Sequence, residues 1–110
     1  MTVDRSVLVR LNDAKDYASE AAQIASLGDI SSRDCLAVRY CLMVIGEALS
    51  SVPADILAGE PSTPWRRIIA LRHRLVHGYR LIDENLVLEV ARNKTAALIA
   101  ALERLIEKLK

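Results

Sequence analysis

Five residues capable of phosphate and proton chemistry fall within one short stretch of this 110-residue chain. They are Arg72, His73, Arg74, His77 and Tyr79, and they include both histidines of the protein. The guanidinium group of arginine binds phosphate oxygens through parallel hydrogen bonds. The imidazole of histidine gains and loses a proton near neutral pH. The stretch therefore predicts a reaction at phosphorus, in which arginine stabilises the charge of the transition state and histidine moves protons.

Positive charge is concentrated around this stretch, although the whole chain carries a formal net charge of only +1. No acidic residue occurs between positions 66 and 80, a segment that contains Arg66, Arg67, Arg72, Arg74 and Arg80. Phosphate is the expected ligand of such a cluster, and the alternative is that these arginines pair with acids on neighbouring helices. The net charge gives the molecule as a whole no attraction for nucleic acid or membrane, so any such site must be local.

Helical spacing places the candidate residues relative to one another. Arg72 and Tyr79 lie within about 20° of each other on a helix, whereas His77 lies about 140° from Arg72. Gly78 can end or distort the helix, which would let the three side chains converge. His73 and His77 have the i, i+4 spacing of metal ligands, but the flanking arginines repel a cation and no nearby acid completes a site. We therefore expect neither a metal nor a cofactor.

The hydrophobic pattern predicts that helices carry these residues. The segment from residue 4 to 25 has apolar residues at steps of four and three, which is typical of a helix that buries a narrow stripe. The stripe comprises Val7, Leu11, Ala14, Ala18, Ala21 and Ala25. We expect Gly28 to end this helix in the left-handed conformation. A second helix, capped by Ser31 or Ser32, extends to about residue 50 and is apolar over most of its surface, which predicts a central position.

Two further helices complete the prediction. Thr63 and Pro64 are typical of a cap and a first helical residue, so a third helix begins at Pro64 and continues into the basic stretch. A single turn or irregular connection is expected before it, at residues 53–62. Asp83 caps the last helix, which extends to about Leu109. Its apolar face comprises Leu86, Val90, Ala97, Leu98, Ala101, Leu102, Leu105, Ile106 and Leu109. We predict one all-α domain over residues 1–110, an up-and-down bundle of four to five helices.

Three other residues have environments that the pattern predicts. Glu47 lies in the apolar second helix, where a buried carboxylate needs a cationic partner, so we expect either a partner from the arginine-rich stretch or exposure at the helix edge. Cys35 and Cys41 diverge by about 120° on this helix, which predicts small buried side chains in a reducing compartment. No signal pattern or long apolar run is present, so we expect a cytoplasmic protein.

The arrangement Arg72-x4-His77-x-Tyr79 resembles the motif of the HEPN-domain ribonucleases, and among them that of the HepT-like toxins. Further matches are Trp65, Ile82, Asp83 and the segment Ile45-Gly46-Glu47-Ala48. The resemblance covers essentially the whole chain and includes the order of the helices. His73 departs from the pattern, because the family often has Asn at this position.

The resemblance implies a metal-independent endoribonuclease that acts as a homodimer, with a composite active site in which the two motifs face one another. Arg72 and His77 would be catalytic, and Glu47 and Arg74 would support them. The implied partner is a minimal nucleotidyltransferase antitoxin, which neutralises the toxin by attaching AMP to Tyr79. The implied substrate is RNA.

Two other functions are compatible with the residues. One is a non-catalytic helical dimer that binds nucleotide or substrate for a nucleotidyltransferase partner. The other is a dimeric adaptor that uses the basic stretch only as a contact surface. The ribonuclease is favoured, because an adaptor has no need for Arg72, His77 and Tyr79 at this spacing.

Overall fold

The computed structural model describes residues 4–78 and 83–110, and every regular element within these ranges is an α-helix. The helices are α1 (Arg5–Ala25), α2 (Ser32–Ser50), α3 (Ala54–Leu57), α4 (Trp65–His77), α5 (Glu84–Asn93) and α6 (Thr95–Leu109). The all-α prediction is confirmed. Helix α1 packs against α2, α5 and α6, while α2 also contacts α4 and α5. None of the described helices has the length and apolarity needed to cross a membrane.

Helix α1 buries the stripe that its sequence predicts. Its buried residues are Val7, Leu11, Ala14, Ala18, Ala21 and Ala25. The expected left-handed cap at Gly28 is wrong, because no glycine in the described ranges has a positive φ. Ser26 caps the helix in right-handed conformation, and its backbone N–H contacts the carbonyl oxygens of Ala22 and Gln23 instead. The next N–H, of Leu27, donates to the carbonyl oxygen of Ile24 at 3.1 Å. These contacts satisfy terminal carbonyls without a left-handed residue.

Helix α2 begins with a reciprocal cap and occupies a central position, but one of its faces is open. The Ser31 hydroxyl accepts a hydrogen bond from the Asp34 backbone N–H at 3.1 Å, and the Asp34 carboxylate accepts one from the Ser31 N–H at 2.9 Å. Its core face includes Ile45 and Leu49, which are at most 1% exposed. Near the start of the helix, however, Leu36 is 60% exposed and Tyr40 57% exposed.

The connection before α4 is held by side chains rather than by the predicted cap. Helix α4 begins at Trp65, one residue later than expected, with Pro64 as the capping residue and no side-chain cap. The indole N–H of Trp65 donates a hydrogen bond to the Glu60 carbonyl oxygen at 3.1 Å. The Glu60 carboxylate in turn pairs with Arg104 at 2.6 Å and Lys108 at 3.0 Å, both on α6.

The predicted last helix is two helices, α5 and α6, divided at Lys94. Asp83 caps α5 as expected, accepting a hydrogen bond from the Asn85 N–H at 2.9 Å. Just beyond the division, the buried Thr95 hydroxyl donates to the Ala91 carbonyl oxygen at 2.6 Å, a contact that commonly bends helices. The buried residues of α5 are Val87 and Ala91, and the buried row continues in phase through Thr95 into α6.

The expected face is wrong at two positions, because Leu86 is 37% exposed and Ala97 is exposed. Val90 is half-buried and packs against the core. The part of the prediction that falls on Leu98, Ala101, Leu102, Leu105 and Ile106 is confirmed, because all five are buried in α6.

The two cysteines are free and buried, as predicted. Burial raises the pKa of both the Cys35 and the Cys41 thiols, so both remain protonated at neutral pH. A protonated thiol is a poor nucleophile. The cysteines therefore belong to the core and not to a reactive site.

Candidate active site

Arg72 is anchored to α2 by an ion pair. Its Nε lies 2.7 Å from Oε2 of Glu47, which confirms that the arginine-rich stretch supplies the partner of this carboxylate. The contact is not buried, because the side chains of Arg72 and Glu47 are 39% and 61% exposed. A guanidinium group has five N–H donors, so pairing at Nε leaves donors for a second anion. Arg72 is therefore held in place and still accessible from solvent.

Gly46 determines how closely α4 approaches α2 at this point. A Cβ atom at Gly46 would lie 2.5 Å from Cβ of Arg72 and 3.4 Å from the carbonyl oxygen of Ile68. Because backbone and Cβ atoms cannot move aside without moving the helix, only glycine permits this packing. The sequence identified Gly46 only through a resemblance, since the contact joins residues 26 positions apart. Arg72 is thus positioned by two adjacent residues of α2. Gly46 permits the close approach of the helices, and Glu47 forms the ion pair.

His77 is exposed at the end of α4, next to His73. The centroids of the two imidazole rings are 4.5 Å apart, and the ring planes are tilted by 46°. Helix α4 continues through His77, and the Gly78 N–H donates to the Arg74 carbonyl oxygen at 2.8 Å. Arg72 and His77 therefore keep the offset of about 140° that a regular helix gives residues five apart. A turn after His77 cannot bring these two side chains of one chain together.

The remaining cations of α4 lie on its exposed side. Arg66, Arg67 and Arg74 are all exposed, and no carboxylate of residues 4–78 and 83–110 forms an ion pair with them. Of the α4 arginines, only Arg72 is paired with an acid. The same described ranges contain no cluster of three or more His, Cys, Asp or Glu residues suited to a metal ion. Tyr79 and Arg80 lie outside the described residues.

A comparison with known protein families shows to which family the chain belongs. A family model described as "Ribonuclease HepT-like" matches residues 8–105. The chain belongs to the HepT-like ribonuclease family. This result confirms the predicted family and the predicted enzyme class, and the match includes Arg72, His77 and Tyr79.

Known proteins of two organisms resemble the chain over most of its length. A Methanocaldococcus jannaschii protein, provisionally named RNase MJ0127, is 28% identical over 103 residues, which cover 94% of this chain and 84% of that protein. A second protein of this organism, provisionally named RNase MJ0125, is 34% identical over 73 residues, or 66% of this chain and 63% of that protein. A Thermococcus cleftensis protein, provisionally named ribonuclease HepT, is 26% identical over 103 residues, which cover 83% of this chain and 94% of that protein. No protein of solved structure matches the chain.

Proposed function

We propose that this member of the HepT-like family is a metal-independent endoribonuclease whose active site is completed by a second copy of the chain. The observation that carries the proposal is the position of Arg72. Its Nε is fixed at 2.7 Å from Glu47, its side chain is still 39% exposed, and it lies on the helix that ends with the exposed His77. A fixed, accessible cation near a proton-transfer group is what phosphodiester cleavage requires.

The proposed reaction uses the 2′-hydroxyl of RNA as the nucleophile. A general base removes the hydroxyl proton, the oxygen attacks the adjacent phosphorus, and the bond from phosphorus to the 5′ oxygen breaks. A general acid protonates the departing 5′ oxygen, which leaves a 2′,3′-cyclic phosphate on one product and a 5′-hydroxyl on the other. His77 acts as base or acid, and Arg72 stabilises the charge on the non-bridging oxygens.

A second chain supplies what one chain lacks. The reaction needs the cation of Arg72 and the proton-transfer group of His77 at the same phosphate. The offset of about 140° between them on α4 keeps these residues of one chain apart. A twofold homodimer offers two copies of each residue, so that the His77 of one chain can face the Arg72 of the other.

The open face of α2 is the surface that we assign to this homodimer. Leu36, Tyr40 and Met43 follow one another at steps of four and three, and the next residue on this row is Glu47, the partner of Arg72. The Tyr40 ring is supported from α1 by Tyr17, with ring centroids 6.1 Å apart in an edge-on arrangement. Pairing two such rows would cover exposed apolar surface and bring the two Glu47–Arg72 ion pairs towards each other.

RNA cleavage without metal tests this function. Purified protein should cut RNA in EDTA and leave 2′,3′-cyclic phosphate ends, while Arg72→Ala and His77→Ala prepared in parallel should not. Cutting that stops on chelation and returns with added metal would contradict the metal-free mechanism. RNA that stays uncut by a protein that binds nucleotide would favour the non-catalytic dimer instead.

The regulation that we propose is that of a toxin in the cytoplasm, neutralised by a minimal nucleotidyltransferase antitoxin that attaches AMP to Tyr79. Tyr79 follows His77 by two positions in the sequence. A phosphate attached there would carry negative charge and bulk into the arginine-rich stretch and compete with RNA. Incubation with the partner enzyme and ATP should add AMP to Tyr79, detected by mass spectrometry, and should stop RNA cutting. A silenced toxin with unmodified Tyr79 would contradict this switch.

A further inference from the structure

The exposed side of α4 carries a row of arginines that the proposed reaction does not use. Arg66, Arg67 and Arg74 lie within about 100° of one another around the helix axis, and His77 lies within the same arc. We call these three arginines the α4 basic face. All three are exposed, and no acid of the described ranges neutralises them. Arg72 is not part of this face, because it points towards Glu47 on α2.

These three cations lie within nine residues of one helix, and positions 66–80 contain no acidic residue. On α6, by contrast, Arg104 and Lys108 pair with Glu60. Unpaired guanidinium groups on a rigid helix are suited to phosphate oxygens, because each presents a planar fork of N–H donors. The α4 basic face therefore fits a ligand with repeated phosphates.

The length of the face fits several nucleotides. Arg66 and His77 are separated by a rise of about 16 Å along the helix, which equals roughly five nucleotides at 3.4 Å per stacked nucleotide. Ala70, which lies between Arg66 and Arg74 on the exposed side, has no side chain large enough to obstruct a strand. A strand whose reactive phosphate is at His77 can therefore have other phosphates beside Arg66 and Arg67.

We propose that the α4 basic face is a binding track for the backbone of single-stranded RNA, extending from the cleavage site at His77 to Arg66 and Arg67. The proposal rests on the function proposed above for its cleavage end. The strand is single because in-line attack by a 2′-hydroxyl requires the backbone to leave the regular helical geometry of a duplex. Binding is independent of sequence, because arginine contacts to phosphate read no base.

The track predicts that chain length matters to the substrate. A dinucleotide can occupy the site at His77 but cannot reach Arg66 and Arg67, whereas a longer oligonucleotide contacts both. Removing the two distal arginines should weaken binding of the oligonucleotide and leave the dinucleotide reaction unchanged. Each lost phosphate contact on a single strand should also reduce the slope of log affinity against log salt concentration by about 0.7.

The experiment compares the wild type with the double variant Arg66→Gln/Arg67→Gln. A control variant, Arg5→Gln/Lys94→Gln, removes the same charge from exposed positions at the start of α1 and at the junction of α5 and α6. Binding of a 2′-O-methyl oligouridylate, which cannot be cut, is measured by fluorescence anisotropy over a series of KCl concentrations. Cleavage of a uridylyl dinucleotide is measured in parallel, and circular dichroism establishes that all three proteins are equally helical.

The expected result is weaker binding by the α4 variant alone, with a salt slope smaller by about 1.4 for two lost contacts. Its kcat/KM for the dinucleotide should equal that of the wild type. Equal losses in the α4 and control variants would overturn the track, since they would report only net charge. Unchanged oligonucleotide binding by the α4 variant would also overturn the track. The α4 basic face would then be a candidate surface for an acidic protein partner.

The track and the ribonuclease activity can fail separately. If no protein cuts the dinucleotide, yet only the α4 variant loses oligonucleotide binding and salt slope, the proposed catalytic function is wrong and the binding track stands. If the wild type and the α4 variant cut the dinucleotide equally well and also bind the oligonucleotide equally well, the track is wrong and the catalytic function stands.

Discussion

At the scale of single residues, the ion pair between Glu47 and Arg72 orients a side chain more than it stabilises the fold. Both partners are exposed to solvent, Glu47 more than Arg72, at 61% and 39%. Exposed ion pairs of this kind contribute only about 0–1 kcal/mol to stability. The pair nevertheless restricts a long, flexible arginine to one position beside α2, and such a restriction matters where Arg72 must meet a phosphate.

Substitution of Glu47 should therefore affect catalysis and not folding. We expect Glu47→Ala to lower kcat for RNA cutting roughly tenfold to a hundredfold, because Arg72 loses its fixed position. Glu47→Gln should keep most of the activity, since its amide oxygen can accept the same hydrogen bond from Nε. The free energy of unfolding should change by less than about 1 kcal/mol in both variants. A wild-type kcat for Glu47→Ala would exclude this positioning role.

The two neighbouring histidines, His73 and His77, offer a matched comparison about one turn of helix apart. His77→Asn should lower kcat by roughly 10²–10⁴-fold, because it removes a proton-transfer group. His73→Asn removes only the neighbouring ring, 4.5 Å away, and should leave kcat close to that of the wild type. Single-turnover cutting of a labelled RNA measures both. Comparable losses in the two variants would show that the assignment of the proton transfer to His77 is wrong.

At the scale of helices, the contact between α2 and α4 determines where the site lies. Gly46→Ala should lower the free energy of unfolding by about 1–3 kcal/mol, because the added Cβ would lie 2.5 Å from Cβ of Arg72. Cutting activity should fall as well, since α4 must move away from Glu47. Gly28→Ala is the control, because a Cβ at Gly28 meets nothing within 4 Å. Denaturant unfolding measures both variants, and equal stability would contradict the packing described.

Glu60 pairs with Arg104 and Lys108 on α6, and we call this pair of contacts the Glu60 clasp. The clasp makes the stability of the fold depend on pH. Hydrogen bonds from Lys108 and Arg104 lower the pKa of Glu60 in the folded protein from its usual value of 4.5. A lowered folded-state pKa means that the charged carboxylate stabilises the fold above about pH 4.5, and that this contribution is lost as the pH falls through the folded-state pKa.

The clasp is tested by the variant Glu60→Gln. Its deficit in free energy of unfolding, relative to the wild type, should be largest near neutral pH and should shrink below pH 4.5. Glu107→Gln is the control, because Glu107 is 77% exposed and its oxygen lies 3.5 Å from Lys110. Urea unfolding over a pH series measures both, and a deficit for Glu60→Gln that stays constant down to acid pH would contradict the clasp.

The helices could be predicted from the sequence wherever one regular period governs burial. All six residues of the predicted α1 stripe are buried, because α1 is a single uninterrupted helix. The same reasoning was wrong at Leu86 and Ala97. Apolar residues also occupy the neighbouring positions of α5, and the pattern alone does not show that the buried row passes through Val87 and Ala91. The partner of Glu47 could be predicted from charge, whereas the role of Gly46 could not, because it depends on the backbone of a helix distant in sequence.

At the scale of the whole molecule, the apolar surface and the charged surface lie on different helices and suit different partners. The face of α2 with Leu36 and Tyr40 is exposed and apolar. The exposed side of α4 is positively charged and can contact phosphate. The first surface suits a second copy of the chain and the second suits RNA. Glu47 and Arg72 lie between them, so the proposed catalytic site is at the edge of the proposed homodimer contact.

Mixing of inactive variants shows whether residues from two chains form one active site. Arg72→Ala and His77→Ala proteins, each inactive alone, are unfolded together, refolded and assayed for RNA cutting. In a mixed dimer, the intact Arg72 of one chain can face the intact His77 of the other, so we predict that the mixture cuts RNA well above either variant refolded alone. If mixed dimers form, as mass spectrometry of the intact assembly can establish, and the mixture stays as inactive as its components, the composite site is contradicted.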